Sequence, residues 1–163
     1  MIPARVQPIL EQTRPLAELF AARDRRLYLV GGIVRDILAG RPLDHAGDLD
    51  FTTDATPDET LEVVSSWAAT VWTQGQRFGT IGCAKDGRTF EITTHRAEAY
   101  HPDSRKPEVR FSTSIEADLS RRDFTVNAMA LEVTSAQPRL IDPFGGAEDL
   151  LSGRLVTPLA PEE

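Results

Sequence analysis

The sequence predicts an α+β fold, mixed α and β in a single domain, and three observations carry that expectation. Short apolar or alternating runs of strand type are interleaved along the chain with segments of helical periodicity. The 163 residues, 40% apolar and 26% charged, are enough for one real hydrophobic core and have the composition of an ordinary globular protein. No internal repeat, low-complexity tract or linker interrupts the pattern.

From the N-terminus, Pro15 to Arg23 places Leu16, Leu19 and Phe20 at helical spacing, which predicts a short amphipathic helix. Leu27 to Val30 is a continuous apolar run closed by Gly31-Gly32, the pattern of a buried strand. Ile33, Val34, Ile37 and Leu38 return to helical spacing until Gly40 and Pro42 stop them. Asp48 to Thr53 alternates, with Asp48, Asp50 and Thr52 on one side and Leu49 and Phe51 on the other, so it reads as a half-buried strand. Thr56-Pro57-Asp58-Glu59 is a capping box with proline in the first turn, opening a helix to about Ala68. Strands follow at Thr70 to Trp72, Thr80 to Ala84 and Arg88 to Thr94, the last two joined by the turn Lys85-Asp86-Gly87. His95 to Arg110, polar and carrying Pro102 and Pro107, reads as a long loop. Thr113 with Glu116 forms a second capping box, and the helical pattern runs on to Ala130. Leu131 to Val133 and Arg139 to Asp142 read as a hairpin, and Gly145-Gly146 precedes a helix of one or two turns.

Several function classes fall away on composition. No apolar run approaches the roughly 18 residues that a membrane span needs. Arg5, Glu11, Arg14 and Glu18 break up the stretch that a signal peptide would keep apolar. The single cysteine, Cys83, excludes an internal disulfide and a cysteine-based zinc cluster. Together these point to the cytoplasm and away from a membrane. A net charge of −7 argues against a strong general affinity for nucleic acid.

Asp48-Leu49-Asp50 is the first chemical signal. As a bare tripeptide it is common by chance, but residues i and i+2 of a strand share a face, so both carboxylates project together while Leu49 and Phe51 anchor the strand. Such a pair either holds a divalent cation or is a solvated strand face beside a turn. A calcium loop running from Asp48 to Glu59 fails, because Thr53 stands where the sharp turn needs glycine and Pro57 interrupts the second half. The second signal is Val30-Gly31-Gly32-Ile33-Val34-Arg35-Asp36. A strand ending in Gly-Gly at a helix start aims free N–H groups outward, and Arg35 adds a cation one turn later. The arrangement is either an anion cradle or only a tight turn. An anion cradle beside a divalent-metal site is what nucleoside triphosphate chemistry requires. The third signal is Arg121-Arg122-Asp123 leading to Asn127. Asp123 and Asn127 stand four apart on one helix face, which reads either as a surface helix or as a cation, carboxylate and amide offered to one polar ligand.

In order, the chain carries Leu-Val-Gly-Gly-Ile-Val-Arg-Asp, Asp-Leu-Asp-Phe-Thr-Thr, Phe-Glu-Ile-Thr-Thr-His-Arg, Arg-Arg-Asp-Phe-Thr-Val-Asn-Ala and Asp-Pro-Phe-Gly-Gly-x-x-Asp-Leu. This series resembles the head domain of the class II tRNA nucleotidyltransferases (CCA-adding enzymes), with bacterial poly(A) polymerases as close relatives. It covers about Leu27 to Val156. The resemblance implies a DNA-polymerase-β-like nucleotidyltransferase fold, a small mixed sheet packed against helices, and transfer of CMP or AMP from CTP or ATP to a tRNA 3′ end. It implies a head over residues 27–157, preceded by a helical extension (1–26) and followed from 158 by the start of a neck domain. Asp48 and Asp50 would hold magnesium (Mg2+). Gly31, Gly32 and Arg35 would cradle the triphosphate, which Arg122 would touch, and Asp123 and Asn127 would lie near the ribose. In the fold so implied, Glu91 of Phe90-Glu91-Ile92 would stand beside both aspartates as a third carboxylate.

In that family an acid-Asp-x-x-Arg segment that selects C or A follows the head, and helical domains beyond it grip tRNA. The sequence ends at Glu163 before such a segment, so the expectation is weak base discrimination and little transfer by this stretch alone. A poly(A) polymerase head and a non-catalytic nucleotide- or cation-binding module are the alternatives. Of the remaining residues, His45, His95 and His101 share no ligand spacing and read as surface or loop residues. Cys83 reads as a small buried hydrophobe, and Trp67 and Trp72 as core residues. Arg105, Lys106 and Arg110 form a basic cluster that either meets RNA phosphates or is simply solvated.

Overall fold

A computed structural model describes residues 6–41, 48–99 and 108–158. Its elements are α1 (Gln7–Ala22), β1 (Leu27–Val30), α2 (Gly32–Leu38), β2 (Leu49–Thr53), α3 (Pro57–Ser65), β3 (Thr70–Trp72), β4 (Thr80–Lys85), β5 (Arg88–Thr94), β6 (Arg96–Ala99), β7 (Glu108–Phe111), α4 (Ile115–Ser120), β8 (Ala130–Glu132), β9 (Arg139–Ile141) and α5 (Gly146–Ser152). Seven strands form one sheet in the order β3-β4-β5-β2-β1-β8-β9. All its neighbours are antiparallel except β2 and β5, which run parallel, so the sheet is mixed as expected.

Strand alternation splits the apolar side chains between two faces. On one face Leu27, Leu29, Leu49, Phe51, Ile81, Cys83, Phe90, Ile92 and Leu131 form the main core with Leu16 and Phe20 of α1 and Val63 and Val64 of α3. On the other, Tyr28, Val30 and Ala130 pack with Leu119 and Ala128 in a smaller cluster. The second face is therefore covered only in part, and its polar positions on β2 and β5 stay open for chemistry.

α1 begins eight residues before the expected start and carries Pro15 inside it. Proline removes a ladder hydrogen bond, but Ile9, Leu10, Thr13, Leu16, Ala17 and Phe20 bury a stripe against the sheet that outweighs the loss. α3 starts with the full Thr56–Glu59 capping box. The β4–β5 turn places Asp86 and Gly87 at φ 51° and 79°, the two left-handed positions of a type I′ hairpin.

Two expectations are corrected. The segment read as a loop from His95 to Arg110 contains an antiparallel hairpin, β6 with β7, pairing Arg96 with Phe111 and Ala99 with Glu108. Its charged residues and prolines masked two short alternating runs. The helix read from Thr113 to Ala130 is capped one residue later, with Ser114 Oγ accepting from Ala117 N–H at 3.2 Å, and ends at Ser120. Beyond it Phe124 is extended and Thr125–Asn127 form a single 3-10 turn. The Asp123 carboxylate accepts from the Phe124 N–H at 2.7 Å, a local bond that competes with helix continuation.

Candidate active site

The parallel pairing of β2 with β5 sets the centre of the site. Its register puts Asp50 opposite Glu91, both on the open face of the sheet. The two carboxyl groups share a hydrogen bond, and both are held above their ordinary range. For Asp50, burial acts first and the charge of Asp48 second, while the Glu91 hydrogen bond and Arg122 pull the other way. For Glu91, burial again leads, followed by the charges of Asp50 and Asp48 and by the bond to Asp50. The charge of Asp48, which precedes β2, thus acts on both Asp50 and Glu91.

Gly31 stands at the end of the neighbouring strand β1, where Val30 pairs with Asp50. Its φ of 89° with ψ of −162° belongs to a region open essentially to glycine alone. A side chain there would begin 3.7 Å from Asp50 Oδ2, so the glycine turn lies directly against the acid. Gly32 opens α2, and the Arg35 guanidinium folds back to within 3.1 Å of where a Gly32 Cβ would stand. Arg35 Nη1 donates to Asn127 Oδ1 at 3.1 Å, and Asn127 Nδ2 donates to Asp123 Oδ1 at 3.1 Å. That donation, with the Phe124 N–H, holds the Asp123 carboxyl below its usual range. Asp123 and Asn127 therefore meet although they lie on a broken turn and not on one helix face.

Asp118 and His95 support this site in ways the sequence reading missed. Asp118 is fully buried, accepts from Arg122 Nη2 at 3.0 Å and from the Arg96 N–H at 2.9 Å, and lies 3.5 Å from Arg121 Nη2. Arg122 is thereby held by a buried carboxylate. The spacing of Asp118 three and four residues before the arginine pair was the available signal. His95, read as a surface or loop residue, is 1% exposed. Its Nδ1 lies 2.8 Å from Thr52 Oγ1 and its ring packs 5.5 Å from Tyr28, so it closes the floor beside Asp50's strand. The Asp-Pro-Phe-Gly-Gly motif is a brace. Asp142 caps α5 by accepting from the Gly146 and Ala147 N–H groups, and Asp149 accepts from Thr125 Oγ1 at 2.6 Å. A Cβ on Gly146 would fall 2.1 Å from the Thr125 carbonyl oxygen, so only glycine lets α5 seat the turn that carries Asn127.

Cys83 and Trp67 are core residues as expected, Trp67 packing edge-on at 5.2 Å from Phe90. Trp72 belongs to neither core cluster, which corrects its assignment to the interior. His45, His101, Arg105 and Lys106 lie outside the described residues, and Arg110 falls in β7.

Among the described residues, no group of three or more His, Cys, Asp or Glu side chains forms a finished metal cage. The donors present still fit a hard divalent cation, which takes one or two carboxylates and fills its remaining positions with water and phosphate oxygens. The negative charges of Asp48 and Asp50, which act on Asp50 and Glu91, are what such a cation would neutralise. Among the described residues, no helix is long and apolar enough to cross a membrane.

The mixed sheet thus sets paired acids beside a glycine turn and an arginine held by a buried carboxylate. The chain belongs to the Poly A polymerase head domain family, whose model matches residues 27–156. It is 40% identical over 144 residues to a CCA-adding enzyme of Bacillus pumilus, covering 88% of this chain and 34% of that relative. Among solved structures it resembles the Bacillus stearothermophilus CCA-adding enzyme in complex with CTP, at 31% identity and a TM-score of 0.73, over 96% of this chain and 34% of that one. The Thermotoga maritima CCA-adding enzyme complexed with tRNA gives 30% identity and a TM-score of 0.74, over 96% of this chain and again 34% of the other. The chain thus spans about a third of the length of the relatives it matches.

Proposed function

We propose that this chain is the catalytic head, over residues 27–157, of a tRNA 3′-terminal nucleotidyltransferase that adds CMP and AMP from CTP and ATP and releases pyrophosphate. One observation carries the reading: Asp50 pairs with Glu91 across a parallel strand junction while the glycine turn at Gly31 lies against Asp50 Oδ2. An anion cradle and an acid cluster then share one edge, as nucleotide transfer demands. The CTP and tRNA complexes of the relatives support the choice of substrates.

In this reading the N–H groups at Gly31 and Gly32 and the Arg35 guanidinium receive the triphosphate, and Arg122 adds a second cation. Asp123 and Asn127 orient the ribose through their shared hydrogen bond. Asp48 and Asp50 would hold magnesium, which would supply charge neutralisation for the triphosphate. The RNA 3′-hydroxyl oxygen bonds to the α-phosphorus, the bond to the β-phosphate oxygen breaks, and the hydroxyl proton passes to Glu91. The compartment proposed is the cytoplasm.

The test supplies this chain, joined to the remainder of its own protein, with tRNA lacking its terminal nucleotides. Ordered incorporation of C and then A supports the reading. A alone indicates a poly(A) polymerase, and nucleotide binding with no incorporation of either defeats the catalytic assignment.

A further inference from the structure

One row of paired residues crosses the whole sheet on its open face: Trp72, Gly82, Glu91, Asp50, Val30, Ala130 and Ile141. Partners across a ladder point to the same side. On the Val30 side of the acids stand the Gly31 turn and α2, the region that receives the triphosphate in the reading above. In phosphoryl transfer the attacking and leaving oxygens lie roughly in line across the phosphorus. A triphosphate that departs toward β1 therefore requires an acceptor that enters over β5 and β4.

What waits on that side is a flat aromatic surface. Gly82, one strand beyond Glu91, has no side chain, and the Trp72 indole spreads over it from the edge strand β3. A Cβ on Gly82 would fall 1.9 Å from Trp72 Nε1 and 2.2 Å from Cε2, so the glycine is the condition for the indole's position. The ring is half-buried and covers a fully buried glycine. It is part of neither apolar cluster, although Val71 beside it packs into the main core. No hydrogen bond of the described residues occupies its Nε1–H. Adjacent strands lie about 4.8 Å apart, so the indole edge stands one strand from the Glu91 backbone.

We propose that Trp72 is the acceptor-side platform, on which the base of the RNA 3′-terminal nucleotide stacks with its ribose directed toward Glu91. This rests on the nucleotidyl-transfer reading and adds to it a residue that positions the second substrate. An aromatic ring suits the task because every base has a π-face, so one platform serves successive primer ends that differ in sequence.

The test uses a short single-stranded RNA ending in a 3′ 2-aminopurine nucleotide, at low salt with MgATP present. Wild-type protein should quench the 2-aminopurine, and Trp72→Ala should abolish the quench and weaken RNA binding about tenfold, within the range of a base–aromatic stack. MgATP affinity should not change, and Trp72→Phe should restore most of the RNA affinity. Gly82→Ala, whose methyl would displace the indole, should reproduce the Trp72→Ala loss. A Trp72→Ala protein that melts lower yet binds and quenches the RNA like wild type makes the indole a mere cover for Gly82 and overturns the proposal. Wild-type protein that binds MgATP but neither binds nor quenches the RNA overturns it as well, while leaving the nucleotide site standing. Wild-type protein that quenches the RNA but binds no MgATP defeats the nucleotidyl-transfer reading, with the stack intact.

Discussion

Replacing Asp118 by alanine should cost both stability and nucleotide affinity, because this carboxylate has no exposure and joins three groups. It accepts from the Arg96 N–H and from Arg122 Nη2 and lies 3.5 Å from Arg121 Nη2. Removing one partner of a fully buried ion pair costs about 3–5 kcal/mol. Here the two arginine side chains each keep 21% exposure. Water offsets part of the loss, which we place at about 3 kcal/mol, including the Arg96 amide left without its acceptor. For a domain of this size that corresponds to a fall in melting temperature of roughly 6–12 °C. Asp118→Asn keeps a carbonyl for the Arg96 amide, so it should recover part of the stability. It cannot hold Arg122 by charge, and MgATP affinity should drop by about tenfold, the value of one charge-assisted contact. Thermal melts and calorimetric titration of both variants check the pair of effects. An Asp118→Ala protein that melts within a degree or two of wild type, by the same size scaling, would mean that this buried carboxylate does not hold the arginine pair in place.

Three further outcomes are expected. Gly31→Ala forces alanine into a glycine-only conformation, at a cost of about 1–3 kcal/mol, and should weaken MgATP binding measured by calorimetry. Burial lowers the pKa of His95, opposed by the charges of Asp118 and Asp54 and reinforced by Arg122. The unfolded chain therefore takes up the proton first, so His95's contribution to stability is present above its unfolded pKa and is lost as pH falls through the folded one, a loss that melting curves across pH 7 to 5 should show and that His95→Gln should flatten. Glu91→Gln, which keeps shape and removes charge, should abolish transfer in the longer protein while leaving nucleotide affinity nearly intact, a split seen by running turnover and titration side by side.

The acids and the glycine turn were legible in the sequence because strand geometry is local. Alternation put Asp50 on the open face, and Gly-Gly after an apolar run marked the turn that lies against it. What local pattern did not carry was the parallel junction of β2 with β5, the contact that brings Glu91 to Asp50; that came from the resemblance. The residues missed are those whose roles depend on distant partners. His95 is buried because Thr52 and Tyr28 receive it, and Asp142 and Asp149 act by seating α5 against the turn of Asn127. The helix read through Arg121 failed because Asp123 binds its own neighbouring amide, a competition that periodicity does not register. Trp72 was misplaced because an edge-strand tryptophan with a glycine opposite looks, in sequence, the same as a core one.

In the proposed site Asp48 and Asp50 hold the cation through which a triphosphate binds beside Gly31 and Arg35. Calorimetric titration of MgATP and MgCTP against the wild-type chain and the combined Asp48→Ala, Asp50→Ala variant tests it most directly. Wild type should bind both nucleotides in a magnesium-dependent way and the variant neither, with the fold retained. Equal binding by the two proteins would contradict that assignment.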